Sequence, residues 1–490
     1  MSTAALLVLA AALQAAAPPP PAPAIDAVLG AWEGVAQHQG ETSPVIVEFV
    51  RRNDVVWTVL SFPAIHAWRF PIGHAEMSGT TIRVGPAAFE YDPAARQMTT
   101  TLPAALVPKY SLRVTLRPRD AVTVPTRPPF DVPTRSPRWV RDLGSAIWAD
   151  VTTAAGLVLA ATDAGQLYAV DPRTGEDRWV LKAGGAIRAR PVVIDQDVVV
   201  QSDDGAMYRI DMKTGAQKWR ATIAPAVRRV PVGDRASRYD NRASAVARDG
   251  NRLFVGTHDG RILSVDAEKG TIIWEHKTGD SVIATPAVAS GRVFCGSMDG
   301  KIYALEAATG TRLWTHDTGA AVTSAVALHN NLVLAGSRSY DFQALDAATG
   351  SPAWTRYFWF SWVESPATVH QGIAYIGSSD AARVSAFDAA SGKTVWTSDV
   401  RGSAWSQPAV TATHVYEAVA GVTNYIAPHE GRVVALDRAT GKPVWQFVVT
   451  PPPASTDRTS VAFGFAASVA VNDDAVFAGA LDGRLYAFDK

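Results

Sequence analysis

The chain has 490 residues, of which 46 are basic and 46 acidic, so its formal net charge is zero. Without excess charge it creates no field that would concentrate a phosphate backbone or an anionic membrane surface, which argues against nucleic-acid binding. Its length exceeds one ordinary compact core unless that core is built from repeats, and its 15 tryptophans indicate many buried packing positions.

The chain begins with a short apolar segment. Residues 3–17 are mostly Ala and Leu, and four prolines follow at 18–21. Such a run is too short to span a bilayer, and its small terminal residues suit a signal-peptidase site. We therefore predict a signal peptide and Pro-rich tail over residues 1–24, and a periplasmic or secreted protein without a membrane-spanning segment. Because no Lys or Arg precedes the run, a disordered Ala/Pro tail is the alternative.

Cysteine usage excludes a disulfide framework. Cys295 is the only cysteine, so no intrachain disulfide can form. It lies in an apolar strand pattern, where we expect a buried and unreactive thiol. No cysteine follows the apolar leader, so we expect no lipid anchor.

Residues 26–118 predict a small all-β domain. Apolar and polar residues alternate over 45–50 and 55–60, and a further strand pattern covers 110–116. Short alternating runs separated by Gly, Pro and Asp are typical of a β-barrel or a β-sandwich.

Two segments of this domain resemble a known kind of module. The Gly-Ala-Trp-Glu-Gly segment at 30–34 and the closing strand at 112–116 resemble the small lipocalin-like β-domains that precede catalytic domains in exported bacterial proteins. A Pro-rich stretch over residues 119–137 follows, which predicts a semi-rigid linker.

A unit of about 40 residues recurs over residues 138–490. Its clearest copy, at 300–314, reads GKIYALEAATGTRLW. The acid and the Thr-Gly pair predict a tight turn between two strands, and the Trp predicts a large ring wedged between neighbouring units. Seven copies have an acid eight positions and a Gly four positions before the Trp, which is Trp179, Trp219, Trp274, Trp314, Trp354, Trp396 or Trp445.

The two ends of the repeat region complete each other. Trp139 belongs to an outer strand that no blade precedes, whereas the last unit stops after Asp489 without an outer strand. Pairing the two halves leaves no open sheet edge. With four short strands per unit, the sequence predicts an all-β fold: an eight-bladed β-propeller closed by its N-terminal strand, preceded by the small β-domain.

Two units carry insertions, between Trp219 and Ala245 and between Ala418 and Val433. Long loops on a rigid scaffold often carry function, although a tolerated surface excursion is the alternative. No spacing typical of a metal site, a serine nucleophile elbow or a phosphate-binding loop occurs in the chain.

The loops that lead into the inner strands predict a binding site at one mouth of the central channel. Alignment of the units puts Arg242 and Val363 in the position of Ile283. Guanidinium groups suit carboxylates or phosphates and Trp offers a stacking face, so a planar anionic molecule or an acidic peptide segment would fit. The alternative is that Arg and Asp only pair across a wet channel. The candidate ligand-binding residues are Trp148, Asp150, Arg188, Arg190, Arg242, Trp405 and Gln407.

A second candidate is an aromatic run between two units. Exposed, such a run would form an apolar patch for a protein partner. Packing against the N-terminal domain or the adjacent blade is the alternative. The residues of this candidate partner patch are Tyr357, Phe358, Trp359, Phe360 and Trp362.

The repeated Asp-x-x-Thr-Gly-x-x-x-Trp unit resembles the PQQ-like propeller family. The resemblance implies one of two functional kinds: dehydrogenases that hold pyrroloquinoline quinone (PQQ) and Ca²⁺ at the channel mouth, or scaffolds similar to the BamB-type outer-membrane assembly factor, which hold no cofactor. In the first kind, Trp405 or Trp148 would stack on the quinone, Arg190 would hold its carboxylates, and Asp150 or Glu364 would serve as a Ca²⁺ ligand or base.

We favour the second kind. A single cysteine cannot form the disulfide that clamps the quinone in many such dehydrogenases, and most blades here lack long inserts. We therefore expect a monomeric, non-catalytic binding or scaffold propeller, without cofactor or metal, that engages an envelope protein or a small anionic ligand. A PQQ- and Ca²⁺-dependent alcohol or sugar dehydrogenase is the alternative.

Overall fold

The computed structural model describes residues 24–38, 41–102, 111–230, 240–453 and 460–490. These residues form a nearly closed β-sheet domain followed by an eight-bladed propeller, so the predicted all-β fold class is confirmed. Two 3₁₀-helices, Ile25–Val28 and Pro63–Ile65, belong to the first domain. Within the described ranges, no helix has the length and hydropathy that a membrane crossing requires.

The N-terminal domain is one antiparallel sheet of nine strands, called the barrel below. Its order is β4-β3-β2-β1-β9-β8-β7-β6-β5, so the two strands at its ends follow each other in the chain. The predicted runs 45–50 and 55–60 lie in β2 and β3, and 112–116 lies in β9, whereas residue 110 is outside the described residues. The strands are β1 Gly30–His38, β2 Glu41–Arg52, β3 Val55–Phe62, β4 Ala67–His74, β5 Glu76–Ser78, β6 Thr81–Val84, β7 Ala87–Asp92, β8 Gln97–Leu102 and β9 Leu112–Arg119.

β1 and β9, the first and last strands of the barrel in chain order, pair directly. Gly34 of β1 lies opposite Leu116 of β9. A Cβ atom at Gly34 would lie 2.4 Å from the carbonyl oxygen of Thr115, so only glycine permits this approach of the two backbones. The indole of Trp32 is buried in the barrel core and donates to the carbonyl of Val28 at 2.8 Å.

The propeller contains eight sheets in sequence order, here blades 1 to 8. Blades 1 to 4 are β11 Thr152–Ala154, β12 Leu157–Ala161, β13 Gln166–Val170, β14 Asp177–Lys182; β15 Val192–Ile194, β16 Asp197–Gln201, β17 Ala206–Asp211, β18 Gln217–Thr222; β19 Ala247–Asp249, β20 Arg252–Gly256, β21 Arg261–Asp266, β22 Ile272–Lys277; and β23 Ala287–Ala289, β24 Arg292–Gly296, β25 Lys301–Glu306, β26 Arg312–Asp317. Blades 5 to 7 are β27 Ala327–His329, β28 Leu332–Gly336, β29 Asp341–Asp346, β30 Pro352–Tyr357; β31 Thr368–His370, β32 Ile373–Gly377, β33 Arg383–Asp388, β34 Thr394–Asp399; and β35 Ala409–Val410, β36 His414–Val422, β37 Arg432–Asp437, β38 Pro443–Val448. A further strand, β39 Ala462–Gly464, pairs with β36.

Blade 8 is shared between the two ends of the propeller. Its strands are β40 Ala470–Val471, β41 Ala475–Gly479, β42 Arg484–Asp489 and β10 Trp139–Asp142. β10 pairs antiparallel with β42, with Trp139 opposite Ala487. The predicted closure by the N-terminal strand is therefore confirmed.

Seven of the eight repeat tryptophans are shown to join their blade to the next through the same indole hydrogen bond. Trp274 donates its Nε1–H to the carbonyl of Ala307 at 3.0 Å, and its ring lies against Gly310. A Cβ at Gly310 would lie 2.6 Å from that ring, and the φ of Gly310 is +73°. Both the close ring contact and the backbone conformation therefore require glycine at this turn position. The corresponding indole bond to the following blade is made by Trp139, Trp179, Trp219, Trp314, Trp354 and Trp396.

The Pro-rich segment between the two domains lies against blades 6 and 7. The guanidinium of Arg127 binds the carboxylate of Asp399 through Nε at 2.9 Å. The ring of Phe130 lies 4.4 Å from the guanidinium carbon of Arg432, and its carbonyl accepts from the amide of Gln446 at 3.2 Å. These contacts hold the segment along the outer edge of blade 7.

The barrel packs on one end of blades 5 to 7. The end of β30, the loop after blade 5 and the turns between the second and third strands of these blades contribute residues to its core cluster, namely Tyr340, Tyr357, Trp359, Phe360, Ala381 and Ala427. Of the predicted partner patch, Tyr357, Trp359 and Phe360 are therefore covered by the barrel rather than exposed. Long-range packing, which leaves no local pattern in the sequence, decides this placement.

Candidate functional site

A cavity of about 940 Å³, counted with its opening to solvent, lies at the mouth of the channel on the barrel side. Three tryptophan side chains, Trp148, Trp362 and Trp405, line it together with Ile283 and Val422. Its polar lining consists of Asn241, Arg242, Thr323, Glu364, Ser379, Ser403, Tyr425 and Ser460. The cavity therefore combines aromatic faces with one guanidinium and one carboxylate.

A second cavity of about 460 Å³ continues into the channel and shares Trp148, Arg242, Ile283 and Thr323 with the first. Six predicted residues line this inner cavity, namely Trp148, Asp150, Arg188, Arg190, Arg242 and Gln407. The seventh, Trp405, lines the outer one. The structure thus brings all seven side chains to one site, and their role in binding remains a prediction.

The alignment of the loops was one residue off in two blades. Val363 donates its backbone N–H to Ser337 as Val282 does to Thr257, so Glu364 corresponds to Ile283 and Val363 is buried. The expectation that Val363 faces the channel is therefore corrected to Glu364, which lines the cavity.

The same shift applies to the loop of blade 3. The hydroxyls of Ser244, Ser365 and Ser406 each accept the backbone N–H of the facing strand, so these three serines are equivalent. Ala243 then takes the position of Ile283, and Arg242 precedes it. An insertion before this loop obscured its register in the sequence.

Arg242 crosses the channel. Its Nη2 donates to the carbonyl oxygens of Trp405 and Ala466, both at 2.8 Å, in the loops that lead into blades 7 and 8. Among the described residues, no carboxylate forms an ion pair with it. The nearby acid Glu417 is fully buried and accepts from Ser406 at 2.6 Å, and burial raises its pKa well above the usual range.

A second arginine also reaches across. Arg190 approaches Gln407 Oε1 at 3.4 Å and, within the described part of the chain, has no carboxylate partner. Asp150, the acid in the same cavity, accepts the backbone N–H of Ser468 at 2.7 Å. The channel wall therefore carries more unpaired positive than negative charge at this level.

Arg188, by contrast, is neutralised. It donates to Asp163 at 2.7 Å and to the carbonyl of Asn241 at 3.2 Å, and its guanidinium lies 5.8 Å from the centre of the Trp148 ring. Burial lowers its pKa, opposed by the charge of Asp163. The charge of Arg188 is thus paired with Asp163, whereas Arg242 and Arg190 have no carboxylate partner among the described residues.

The first insertion, after Trp219, contacts the mouth of the channel through Arg229. This side chain binds Asp203 through two bonds, at 2.5 and 2.7 Å, and lies 3.0 Å from Nε2 of His258. Burial and the charge of Arg229 lower the pKa of His258 to about 4, so this histidine is neutral at physiological pH. Arg229 was visible in the sequence only as one of several arginines in a long insertion, and residues 231–239 lie outside the described residues.

A further ion pair on the opposite wall was not predicted. Arg338 binds Glu364 at 2.7 Å and lies 4.6 Å from the centre of the Trp362 ring. Thr323 also donates to Glu364, at 3.3 Å. The pair fixes both the carboxylate and the ring at the edge of the outer cavity.

The described residues do not fit a Ca²⁺ site. Ca²⁺ takes about six to eight oxygen ligands, usually with several carboxylates. Glu364 is held by Arg338 and Asp150 by a backbone amide, and nowhere in the described ranges do three His, Cys, Asp or Glu side chains group as metal ligands.

The propeller matches the family model described as "Outer membrane protein assembly factor BamB" over residues 129–237, 232–327 and 298–490, which together exceed half of the chain. The chain belongs to this family. The predicted resemblance to PQQ-like, BamB-like propellers is confirmed. No curated protein sequence matches the chain.

Solved structures share the fold of this BamB-family propeller. BamB from Moraxella catarrhalis is 18% identical, with a TM-score of 0.54 over 73% of this chain and 100% of that one. The quinohemoprotein alcohol dehydrogenase ADHIIG from Pseudomonas putida HK5 is 14% identical, with a TM-score of 0.53 over 72% of this chain and 76% of that one. The computationally designed Ika8 protein is 19% identical, with a TM-score of 0.58 over 71% and 98%. At these identities the likeness shows the fold alone, which an assembly factor and an enzyme share.

Proposed function

We propose that this chain is a non-catalytic extracytoplasmic binding protein whose channel mouth takes an acidic, aromatic-bearing segment of an envelope protein. The observation that carries the proposal is Arg242, which holds a positive charge without a carboxylate partner among the described residues, beside three tryptophan rings. A carboxylate would neutralise that charge, and an aromatic side chain would stack on the rings.

The lining of the cavity supports a ligand of this kind. Three tryptophan rings and the guanidinium of Arg242 line it. Tryptophan and arginine are the residues in which binding energy concentrates at protein interfaces. The family model's description, an outer membrane protein assembly factor, favours a protein partner and a periplasmic location over a free metabolite.

The state of the acids supports binding rather than catalysis. Glu364 is held in an ion pair, Glu417 is fully buried with its pKa raised by that burial, and Asp150 accepts a backbone amide.

The test is a titration of the purified protein, followed by tryptophan fluorescence, with a synthetic peptide that alternates Phe and Asp. Saturable binding is expected, with losses when Asn replaces Asp or Leu replaces Phe in the peptide. Arg242→Met should weaken binding, whereas Arg173→Met, an exposed arginine on the outer turn of blade 1, should not. Equal binding of the Asp and Asn peptides would reject an acidic ligand.

The dehydrogenase alternative is decided by a parallel titration with PQQ and Ca²⁺. Wild-type protein is mixed with both, and quinone absorbance and dye-linked alcohol oxidation are recorded. Saturable quinone binding with turnover would replace the proposed function. Absence of turnover, together with peptide binding, would support it.

A further inference from the structure

A six-residue loop runs from the core of the barrel to the mouth of the propeller. It begins at Trp359 and Phe360, which are 9% and 6% exposed and belong to the barrel core cluster. The ring of Phe360 lies 4.1 Å from that of Phe62, at an interplanar angle of 31°. The loop ends at Trp362 and Glu364, which line the outer cavity.

The conformation of the loop depends on its contacts. Phe360 has a φ of +55°, a left-handed conformation that is uncommon for a bulky residue and is held only where packing imposes it. The next residue, Ser361, donates its backbone N–H to Phe358 at 3.1 Å, and its hydroxyl accepts the N–H of Ala381 at 3.0 Å. The barrel therefore holds a strained turn two residues before Trp362.

The end of the loop is connected to the rest of the mouth. The carbonyl of Trp362 accepts the backbone N–H of Ser379 at 3.0 Å, and the hydroxyl of Ser379 accepts the indole N–H of Trp405 at 3.0 Å. Arg338 lies over the Trp362 ring and binds Glu364. A shift of Trp362 would thus move a second tryptophan and the only carboxylate of the outer cavity among the described residues.

A second path joins the barrel to the same cavity. Ala427, in the insertion of blade 7, belongs to the barrel core cluster. Tyr425, two residues earlier, lines the cavity, and its hydroxyl donates to the buried carboxyl of Asp380. Both segments that enclose the mouth on this side are therefore held by the barrel.

We propose that the barrel is a positioning domain for the mouth: Phe62, through Phe360, fixes Trp362 and Glu364 in the geometry that receives the ligand. This assignment rests on the proposed function for its binding consequence. Phe62 and Phe360 touch no ligand and act through the loop. In this role the barrel sets the affinity of the propeller for its ligand.

The test compares Phe62→Ala with Phe49→Ala. Phe49 is buried in the same barrel, 1% exposed, and packs edge-on against Phe89 at 5.7 Å, so its loss removes a ring of equal size from a different part of the core. We expect Phe62→Ala to weaken binding of the Phe/Asp peptide about tenfold, and Phe49→Ala to leave it within about twofold. Phe62→Leu, which refills most of the space, should restore binding.

A measurement without ligand separates the positioning role of the barrel from the proposed binding function. Oxidation of tryptophans by N-bromosuccinimide, mapped by mass spectrometry, reports the accessibility of Trp362 and Trp405. Phe62→Ala should speed oxidation of both several-fold relative to wild type and Phe49→Ala. Unchanged oxidation, or an equal change in both variants, would overturn the positioning role. If wild type binds no peptide while the oxidation result holds, the proposed function fails and the positioning role stands.

Discussion

The guanidinium of Arg242 lies in the loop that leads into blade 3, yet it donates to the carbonyl oxygen of Trp405 in the loop that leads into blade 7, at 2.8 Å. The bond crosses the channel and fixes the charge at the base of the tryptophan-lined cavity. A backbone carbonyl satisfies a hydrogen bond without cancelling a positive charge, so the site keeps its attraction for an anion.

Substitution of Arg242 by Met and by Lys should separate charge from geometry. Hydrogen bonds to charged groups contribute about 1.5–3 kcal/mol, so Arg242→Met is expected to weaken binding of the Phe/Asp peptide by about 10- to 100-fold. Lys keeps the charge but not the planar fork, and an intermediate loss is expected. Fluorescence titrations at low and high salt provide the measurement, and the salt dependence should be smallest for Met. Wild-type affinity in Arg242→Met would contradict the assignment.

The contact between Trp274 and Gly310 predicts an unequal response to two alanine substitutions. Gly310 has a φ of +73° and an added Cβ would lie 2.6 Å from the indole, whereas Gly291 has a φ of +71° and nothing within 4 Å. Gly291→Ala should cost about 1–2 kcal/mol of unfolding free energy, from backbone strain alone. Gly310→Ala should cost about 1–3 kcal/mol more, because the ring must move. The midpoint of urea unfolding measures both, and equal losses would mean that the indole contact contributes nothing.

Asp380 predicts a pH dependence of stability. Burial raises its pKa from 3.8 to about 6. Because the folded-state pKa lies above the unfolded one, the protonated carboxyl stabilises the fold fully below pH 3.8, and this contribution is lost as the pH rises through about 6. Asp380→Asn mimics the protonated form. The variant should therefore gain stability relative to wild type between pH 4 and 7, by on the order of 3 kcal/mol.

The measurement is the unfolding free energy of both proteins at several pH values from 4 to 8. Histidines with lowered pKa, such as His429, shift stability in the opposite direction, but they do so in both proteins and cancel in the difference. A difference that stays constant with pH would show that Asp380 titrates normally.

Cys295 should behave as an inert thiol in the folded protein. It is fully buried in β24, and burial raises its pKa above the usual range for a thiol. We expect no reaction with a disulfide reagent at neutral pH in buffer and stoichiometric reaction in concentrated urea. Rapid labelling of the native protein would mean that blade 4 opens locally without global unfolding.

Most of the propeller could be predicted because every blade needs the same short-range contacts, and the residues that make them recur once per blade. An acid accepts the amides of its own turn, as Asp266 does from Glu268 and Lys269 at 2.9 Å, and a glycine four residues before the Trp admits the ring of the preceding blade. Both demands are visible within a short stretch of sequence. The closure through Trp139 followed from two incomplete units that complete each other.

The site was predicted only in part. The seven residues converge because position along a repeat determines which residues reach the channel. The alignment assigned the channel-facing position to Val363 instead of Glu364. The loop departs from the repeat pattern and carries no turn signal that would set the register. The ion pair between Arg229, in the first insertion, and Asp203 joins two segments that no spacing rule connects.

The amino-acid sequence by itself determined the fold class and the number of blades, since both depend on contacts between residues a few positions or one repeat apart. It also determined the closure, although Trp139 and Ala487 are far apart in the chain, because each end of the propeller carries the part of a blade that the other end lacks. Only the tertiary structure decided that the barrel covers the aromatic loop, that Arg242 meets carbonyls across the channel, and which face of the loop around residue 364 lines the mouth. These contacts join segments far apart in the chain through packing and charge, and the local residue pattern does not encode which distant surface a side chain will meet.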